Sequence, residues 1–254
     1  MLNLEDAQKH FWVQIPDSRE FRSQSDEYFT VRYEGKEQIL KLHNYAEIYQ
    51  IPGLYQYVLM DILGDRSPDT LSSLLIDHVA QSGASVTDLR VLDMGAGIGL
   101  SGRSLRHKDV NYIVGLDILL EAREASVREL PGIYLDYYVA DLLKLSESTK
   151  TALINHHFNS LMCCSALTCH VPIQAFVEAF NLIADDGWIG FNVNQFKLDP
   201  AYNENDEFFK LFQRITQSGA FQVACVHDYE HRHSMSGNPI YYCAVIGQKR
   251  HSVL

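Results

Sequence analysis

The stretch VLDMGAGIGLSG, from Val91 to Gly102, sets four glycines behind a short apolar run that ends in Asp93. Gly97, Gly99 and Gly102 spell GxGxxG, a spacing that suits a dinucleotide pyrophosphate. Asp93, Gly95, Gly97 and Gly99 spell DxGxGxG, a loop that suits a cationic ligand. In the dinucleotide pattern the first glycine follows the strand directly, and backbone N–H groups face the phosphates. Here GxGxxG starts beyond that point, inside the expected helix, and an acid at the strand end repels pyrophosphate. A ligand with a sulfonium and an amine is favoured by the same acid, and glycines let the backbone approach it closely. Gly102 then falls outside the site and becomes a helix-packing residue.

Two later acids extend the pattern. Asp117, in VGLDI, can accept hydrogen bonds from both hydroxyls of a ribose. Asp141, in VADLL, suits an adenine amino group, or caps the helix that follows. His170, just after FNSLMCCSALTC, stands where a general base or an orienting residue would stand. Cys163 and Cys164 point to opposite strand faces, so with Cys169 and His170 they read as buried thiols and a lone histidine, not a metal site. His227, His231 and His233 fall on one face by strand alternation, which is metal-compatible. The preferred reading of HDYEHRH is a solvated hairpin near the substrate mouth.

The elements that must position these residues begin after the loop Gln81 to Asp88. From there, apolar runs alternate with amphipathic ones: RVLDM, NYIVGLD, IYLDYYVAD, FNSLMCCS, WIGFNVN, FQVACVHDYE and IYYCAVIGQK read as seven strands. Helices between them imply a parallel sheet with right-handed crossovers. Only the turn SGNP joins the last two, so these pair antiparallel. The expected fold is α/β, a Rossmann-like doubly wound, mostly parallel seven-stranded sheet with an antiparallel last strand. Residues 1–85 read as an amino-terminal helical cap and residues 86–254 as the ligand-binding domain, the two forming one unit. Within the cap, Ser67 is expected to cap a helix that has Pro68 at its first position. Ile39, Leu42, Ala46 and Tyr49 fall along one helical stripe. Tyr28, Tyr33, Tyr45, Tyr49, Tyr55 and Tyr57 fill core or line a pocket that welcomes a sulfonium.

With 254 residues, 46% of them hydrophobic, the chain can bury a sizeable core. A net charge of −11 argues against nucleic acid as the main partner. The amino terminus has no long apolar run, so neither a signal peptide nor a membrane anchor is expected. Five cysteines without a CxxC pair suit a reduced, cytoplasmic protein.

In order and spacing, VLDMGAGIG, VGLDI, VADLL, SLMCCSALTCHVP and LIADDGWIGFNVN resemble the class I S-adenosylmethionine-dependent methyltransferases over roughly Arg90 to Lys249. CSALTCHVPIQAFVEAFNLIADDGW is similar to the small-molecule branch, and somewhat to the Williams–Beuren-region methyltransferase-like proteins. The resemblance implies that Asp93, Gly95, Gly97 and Gly99 wrap the methionine part of S-adenosylmethionine. It places Asp117 at the ribose, Ile118 beside adenine, and Asp141 with the Leu142 N–H at the adenine edge. Cys164 and Ser165 match the strand end that faces the cofactor amine. YAEIYQ partly matches an AxxYD element whose tyrosine closes over the cofactor, here Tyr49, with Gln50 in place of the acid. The implied activity is methyl transfer to a small molecule by a monomer or homodimer. A protein methyltransferase with a basic partner, a nicotinamide-dependent oxidoreductase and a catalytically silent binding module are the alternatives.

Overall fold

The structure, a computed structural model, describes residues 11–17, 24–167, 171–203 and 206–253. Two sheets organise these residues. The larger has seven strands: β4 (Arg90–Met94), β5 (Tyr112–Asp117), β6 (Asp136–Val139), β7 (Ser160–Cys163), β8 (Trp188–Asn194), β9 (Phe221–His233) and β10 (Pro239–Lys249). Their order is β6-β5-β4-β7-β8-β10-β9, with β10 antiparallel to both neighbours and β4 to β8 parallel. The smaller sheet is an antiparallel meander of β1 (Phe11–Gln14), β2 (Tyr28–Tyr33) and β3 (Lys36–Lys41).

The central strands are apolar along their length because helices cover both faces. Every residue of β7 is buried, as is all of β4 beyond Arg90. On one face, α2 (Ser67–Gln81) lays Leu71, Leu75 and Val79 against Val91, Ile113, Met162 and Ile246. On the other, α6 (Ile173–Asn181) and α7 (Glu207–Gln217) turn their apolar stripes inward. Phe191 of β8 is the hub there, with ring centroids 5.3 Å from Phe176, 5.8 Å from Phe208 and 6.1 Å from Phe221. Three further helices complete the crossovers: α3 (Leu100–Arg106), α4 (Leu120–Glu129) and α5 (Glu147–Asn155). Ser146 starts α5 by accepting the Thr149 N–H. Gly102 packs as expected, since a Cβ there would lie 2.7 Å from Ile133 and 2.9 Å from Tyr134.

The helical reading of the amino-terminal part is corrected. Lys36–Lys41 is a strand, with Leu40 buried and Ile39 exposed, and only α1 (Tyr45–Gln50) is helical within the expected stripe. Apolar residues three and four apart mimic a helix here by chance of a strand running into one. The meander has its own core of Phe29, Val31, Leu40 and Leu42 packed on Ile48, Leu54 and Val58, with Met235 from the β9–β10 turn closing it. Ser67 does not cap α2 either; Asp65 accepts the Ser67 N–H at 2.8 Å, and the Ser67 hydroxyl points into the protein. No helix among the described residues is long and apolar enough to cross a membrane.

Candidate active site

A cleft of about 420 Å³ opens outside the carboxyl ends of β4, β5 and β7, against α1 and the residues Leu42 to Asn44 that lead into it. Met94 and Gly95, where β4 passes into the glycine loop, line the cleft. Gly95, Gly97 and Gly99 hold φ of 68°, 52° and 102°, left-handed values that side chains resist. At Gly95 a Cβ would also lie 2.7 Å from Ala166, and at Gly97 one would lie 2.8 Å from the Tyr49 hydroxyl. The loop's donors are used internally. Gly95 and Ala96 both donate to the Leu116 carbonyl, at 2.9 and 3.1 Å, and Gly99 donates to Ala96 at 3.0 Å. The Gly97 N–H donates to Asp117 Oδ2 at 2.9 Å, and Leu119 N–H to Asp117 Oδ1 at 3.0 Å. Burial raises the Asp117 carboxyl above its usual range, and these N–H groups oppose the rise.

Gly95, Asp117, Ile118, Asp141, Leu142, Cys164, Ser165 and Tyr49 all line this cleft. Ile118 is 65% exposed at the rim, an apolar surface open to a planar ligand. Asp141 combines both readings: its carboxylate caps the turn Leu142–Lys144 through the Leu143 N–H at 2.9 Å, and it still borders the cleft. Tyr49 is buried, stacked on Tyr45 and set edge-on to Tyr55; burial holds its phenol well above the ordinary value, so it does not act as a base near neutrality. Gly97 and Gly99 shape the loop without lining the cleft. His170 lies outside the described residues.

Asp93 departs from expectation. Alternation along β4 turns its carboxylate away from the cleft and under α3, where it accepts from the Tyr134 hydroxyl at 2.7 Å and from the Gly102 N–H. It braces the loop from behind, so charge repulsion by Asp93 is not what selects the ligand. Burial pushes this carboxyl up to about 7 from an ordinary 3.8. A raised carboxyl contributes stability below its unfolded value, and that contribution is lost as pH rises through the folded value. We therefore expect the ligand-free protein to lose on the order of 3 kcal/mol between about pH 5 and pH 8, a loss that Asp93→Asn abolishes. Urea unfolding of both proteins at the two pH values checks this; parallel pH dependence would refute it.

The other wall holds a polar network that spans the chain. Ser67 Oγ lies 2.6 Å from His231 Nδ1 and 2.7 Å from the Tyr229 hydroxyl. Asn192 Nδ2 donates to Tyr229 at 2.7 Å and to Ser67 at 3.1 Å, while its Oδ1 accepts the Ser165 N–H at 2.5 Å. Asp65 Oδ1 is 3.1 Å from His231 Nδ1, both side chains being buried, and Tyr242 stacks on the imidazole at 4.0 Å. Beside them Arg232 pairs with Glu27 at 2.6 Å, and Glu27 also accepts the Met235 N–H at 2.7 Å. Asp65, His231, Arg232 and Tyr242 all line the cleft.

The solvated-hairpin reading of HDYEHRH therefore holds only for part of it. His231 is the extra residue of a β-bulge, because Ile240 pairs with Arg232 while Tyr241 pairs with Glu230. The bulge buries His231 and Arg232 together and leaves His227 and His233 exposed, which breaks the expected alternation. Among the described residues no group of three His, Cys, Asp or Glu side chains is placed to hold a metal ion. The histidine-rich run was the only sequence signal for this wall. Asp65, Ser67 and Asn192 carried none.

No protein-family model matches the chain, and no curated protein matches it. Solved structures do. An S-adenosylmethionine-dependent methyltransferase from Clostridium acetobutylicum is 13% identical, with a TM-score of 0.52 over 77% of this chain and 96% of that one. A candidate RNA methyltransferase from Pyrococcus horikoshii is 14% identical, with a TM-score of 0.51 over 73% and 87%. The fold is theirs. Magnesium protoporphyrin IX methyltransferase from Synechocystis, solved with S-adenosylmethionine bound, is 15% identical, with a TM-score of 0.48 over 70% and 78%. In such open α/β sheets the ligand crevice lies outside the strand carboxyl ends, where this cleft is found.

Proposed function

We propose that this protein is an S-adenosylmethionine-dependent methyltransferase with a small-molecule acceptor. The observation that carries the proposal is the state of the glycine loop. A pyrophosphate needs free backbone N–H donors, and those of Gly95, Ala96, Gly97 and Gly99 are spent on Leu116, Asp117 and Ala96. The charged groups bordering that half of the cleft are the carboxylates Asp117 and Asp141. This donor set rejects a doubly negative group and accepts ribose hydroxyls, an adenine amino group and a cationic sulfur.

Gly95 provides the close backbone approach for the methionine part, because a Cβ there would fill the cradle. Asp117 has lone pairs left for the ribose hydroxyls after its two backbone bonds. Ile118 and Leu142 offer apolar surface and an N–H to adenine, and Cys164 and Ser165 border the amine end. S-adenosylmethionine supplies an activated methyl group on a good leaving group. The protein's part is then alignment and exclusion of water, for which the roof of Leu42, Tyr45, Tyr55 and Leu59 is suited. A cleft of about 420 Å³ lined by aromatic rings favours a small acceptor over a protein segment.

Titration calorimetry with S-adenosylmethionine and NADH tests the cofactor; binding of NADH alone would sink it. Incubation of the protein with methyl-labelled S-adenosylmethionine and a cell extract tests the acceptor. Label in the small-molecule fraction supports the proposal, and label in precipitable protein shifts it to a protein methyltransferase, which the net charge of −11 would fit.

A further inference from the structure

We infer that His231 is the general base of this site, positioned by Asp65, and that the acceptor it serves is a phenolic hydroxyl. The inference rests on the methyltransferase reading above and adds to it a residue and a substrate class. His231 and Asp65 are both buried, with relative exposures of 4% and 8%, yet both border the cleft. The hydrogen bond of Nδ1 is to the Ser67 hydroxyl at 2.6 Å, and the Asp65 carboxylate, which only accepts, lies 3.1 Å from the same nitrogen, a charge that favours the proton on Nδ1. The Ser67 hydroxyl, 2.6 Å from Nδ1, has the Tyr229 oxygen at 2.7 Å to receive its own proton. Nε2, on the opposite edge of the ring, is then the lone-pair nitrogen left to a ligand. Tyr242, stacked at 4.0 Å, fixes the ring plane.

The network also ties this base to the expected methyl donor. Asn192 bonds the Ser67 hydroxyl at 3.1 Å and the Ser165 N–H at 2.5 Å, and Ser165 stands at the strand end assigned to the cofactor amine. A base is needed only where the nucleophile sheds a proton as it attacks, which selects hydroxyls over tertiary amines and thioethers. Among hydroxyls, phenols, at about 10, lie nearest imidazolium, at about 6.5. Tyr45, Tyr55 and Tyr242 and the apolar side chains of Leu42, Leu59 and Val171 suit an aromatic ring. In the step, the O–H bond breaks as its proton passes to Nε2. The oxygen's electron pair bonds to the methyl carbon while the C–S pair returns to sulfur. The products are an aryl methyl ether, a thioether and an imidazolium that releases its proton to water.

The test uses 4-nitrophenol, whose phenolate absorbs in the visible. Wild-type protein saturated with S-adenosylhomocysteine should bind it saturably and show the phenolate band at a pH where the free probe is neutral. His231→Gln should bind the cofactor product unchanged by calorimetry and lose the band. Asp65→Asn keeps an oxygen toward the Ser67 N–H and Nδ1 but removes the charge that supports an imidazolium, and should weaken the band while binding the probe within a few-fold. With S-adenosylmethionine, formation of 4-nitroanisole should fall about a hundredfold in His231→Gln. A neutral bound probe, no saturable binding, or a phenolate band that survives in His231→Gln overturns the inference and leaves the cofactor reading intact. Failure of the wild type to bind S-adenosylhomocysteine overturns both.

Discussion

Glu27→Ala should destabilise the fold by about 3–5 kcal/mol, the cost of leaving one partner of a buried ion pair alone. Glu27 and Arg232 are 1% and 3% exposed and 2.6 Å apart. Glu27 also holds the Met235 N–H at 2.7 Å, and its own carbonyl accepts the Leu42 N–H at 2.9 Å. One residue thus joins the meander to the β9–β10 hairpin over the cleft. Its loss leaves a guanidinium that is 3% exposed without its counter-charge, held by the His233 carbonyl at 2.8 Å. The cost comes from desolvation more than from lost attraction, so removing both charges should recover most of it. Guanidinium unfolding of Glu27→Ala, Arg232→Met and the double variant forms the cycle. A single-variant loss below about 1 kcal/mol, as for a surface pair, would show that the pair is solvated in solution.

Asp117→Ala should weaken S-adenosylmethionine binding about a hundredfold. Two hydrogen bonds from ribose hydroxyls to a carboxylate are worth about 3 kcal/mol together, and every 1.4 kcal/mol is tenfold in affinity. The same substitution frees the Gly97 N–H, which Asp117 holds at 2.9 Å. The loop then gains a free donor at the place a phosphate would seek. We expect S-adenosylmethionine affinity to fall further than affinity for NADH, whose loss of the same ribose contact is offset by the freed donor. Calorimetry with both ligands reads the two numbers. A variant that binds S-adenosylmethionine as the wild type does would remove Asp117 from the ribose site.

The glycine loop and the acids at the ends of β4, β5 and β6 were legible in the sequence because they are local. A strand is a short apolar run and its end is where polarity returns, so the segment there reaches the crevice whatever the partner strands are, although which side chain turns into it is not local. The parallel strands and the antiparallel last pair followed from connection lengths, whereas the strand order came from the structure. The meander was not legible. Ile39, Leu42, Ala46 and Tyr49 are spaced as in a helix, and only the pairing of Lys36–Lys41 with Tyr28–Tyr33 decides that the first part is a strand.

What the sequence by itself determined is the sheet, its glycine turn and the positions of several residues that line the cleft. What only the tertiary structure decided is which way those residues turn and what stands opposite them. Asp93 turned under α3, and Asp117 was the acid left to tie the loop. A single bulged residue, His231, carried Arg232 inward to Glu27, 205 positions away, and met Asp65 on the same wall of the cleft. The physical reason is range. Hydrophobic period and turn chemistry act over a few residues, whereas a buried polar group takes its partner from whatever chain the fold brings within about 3 Å.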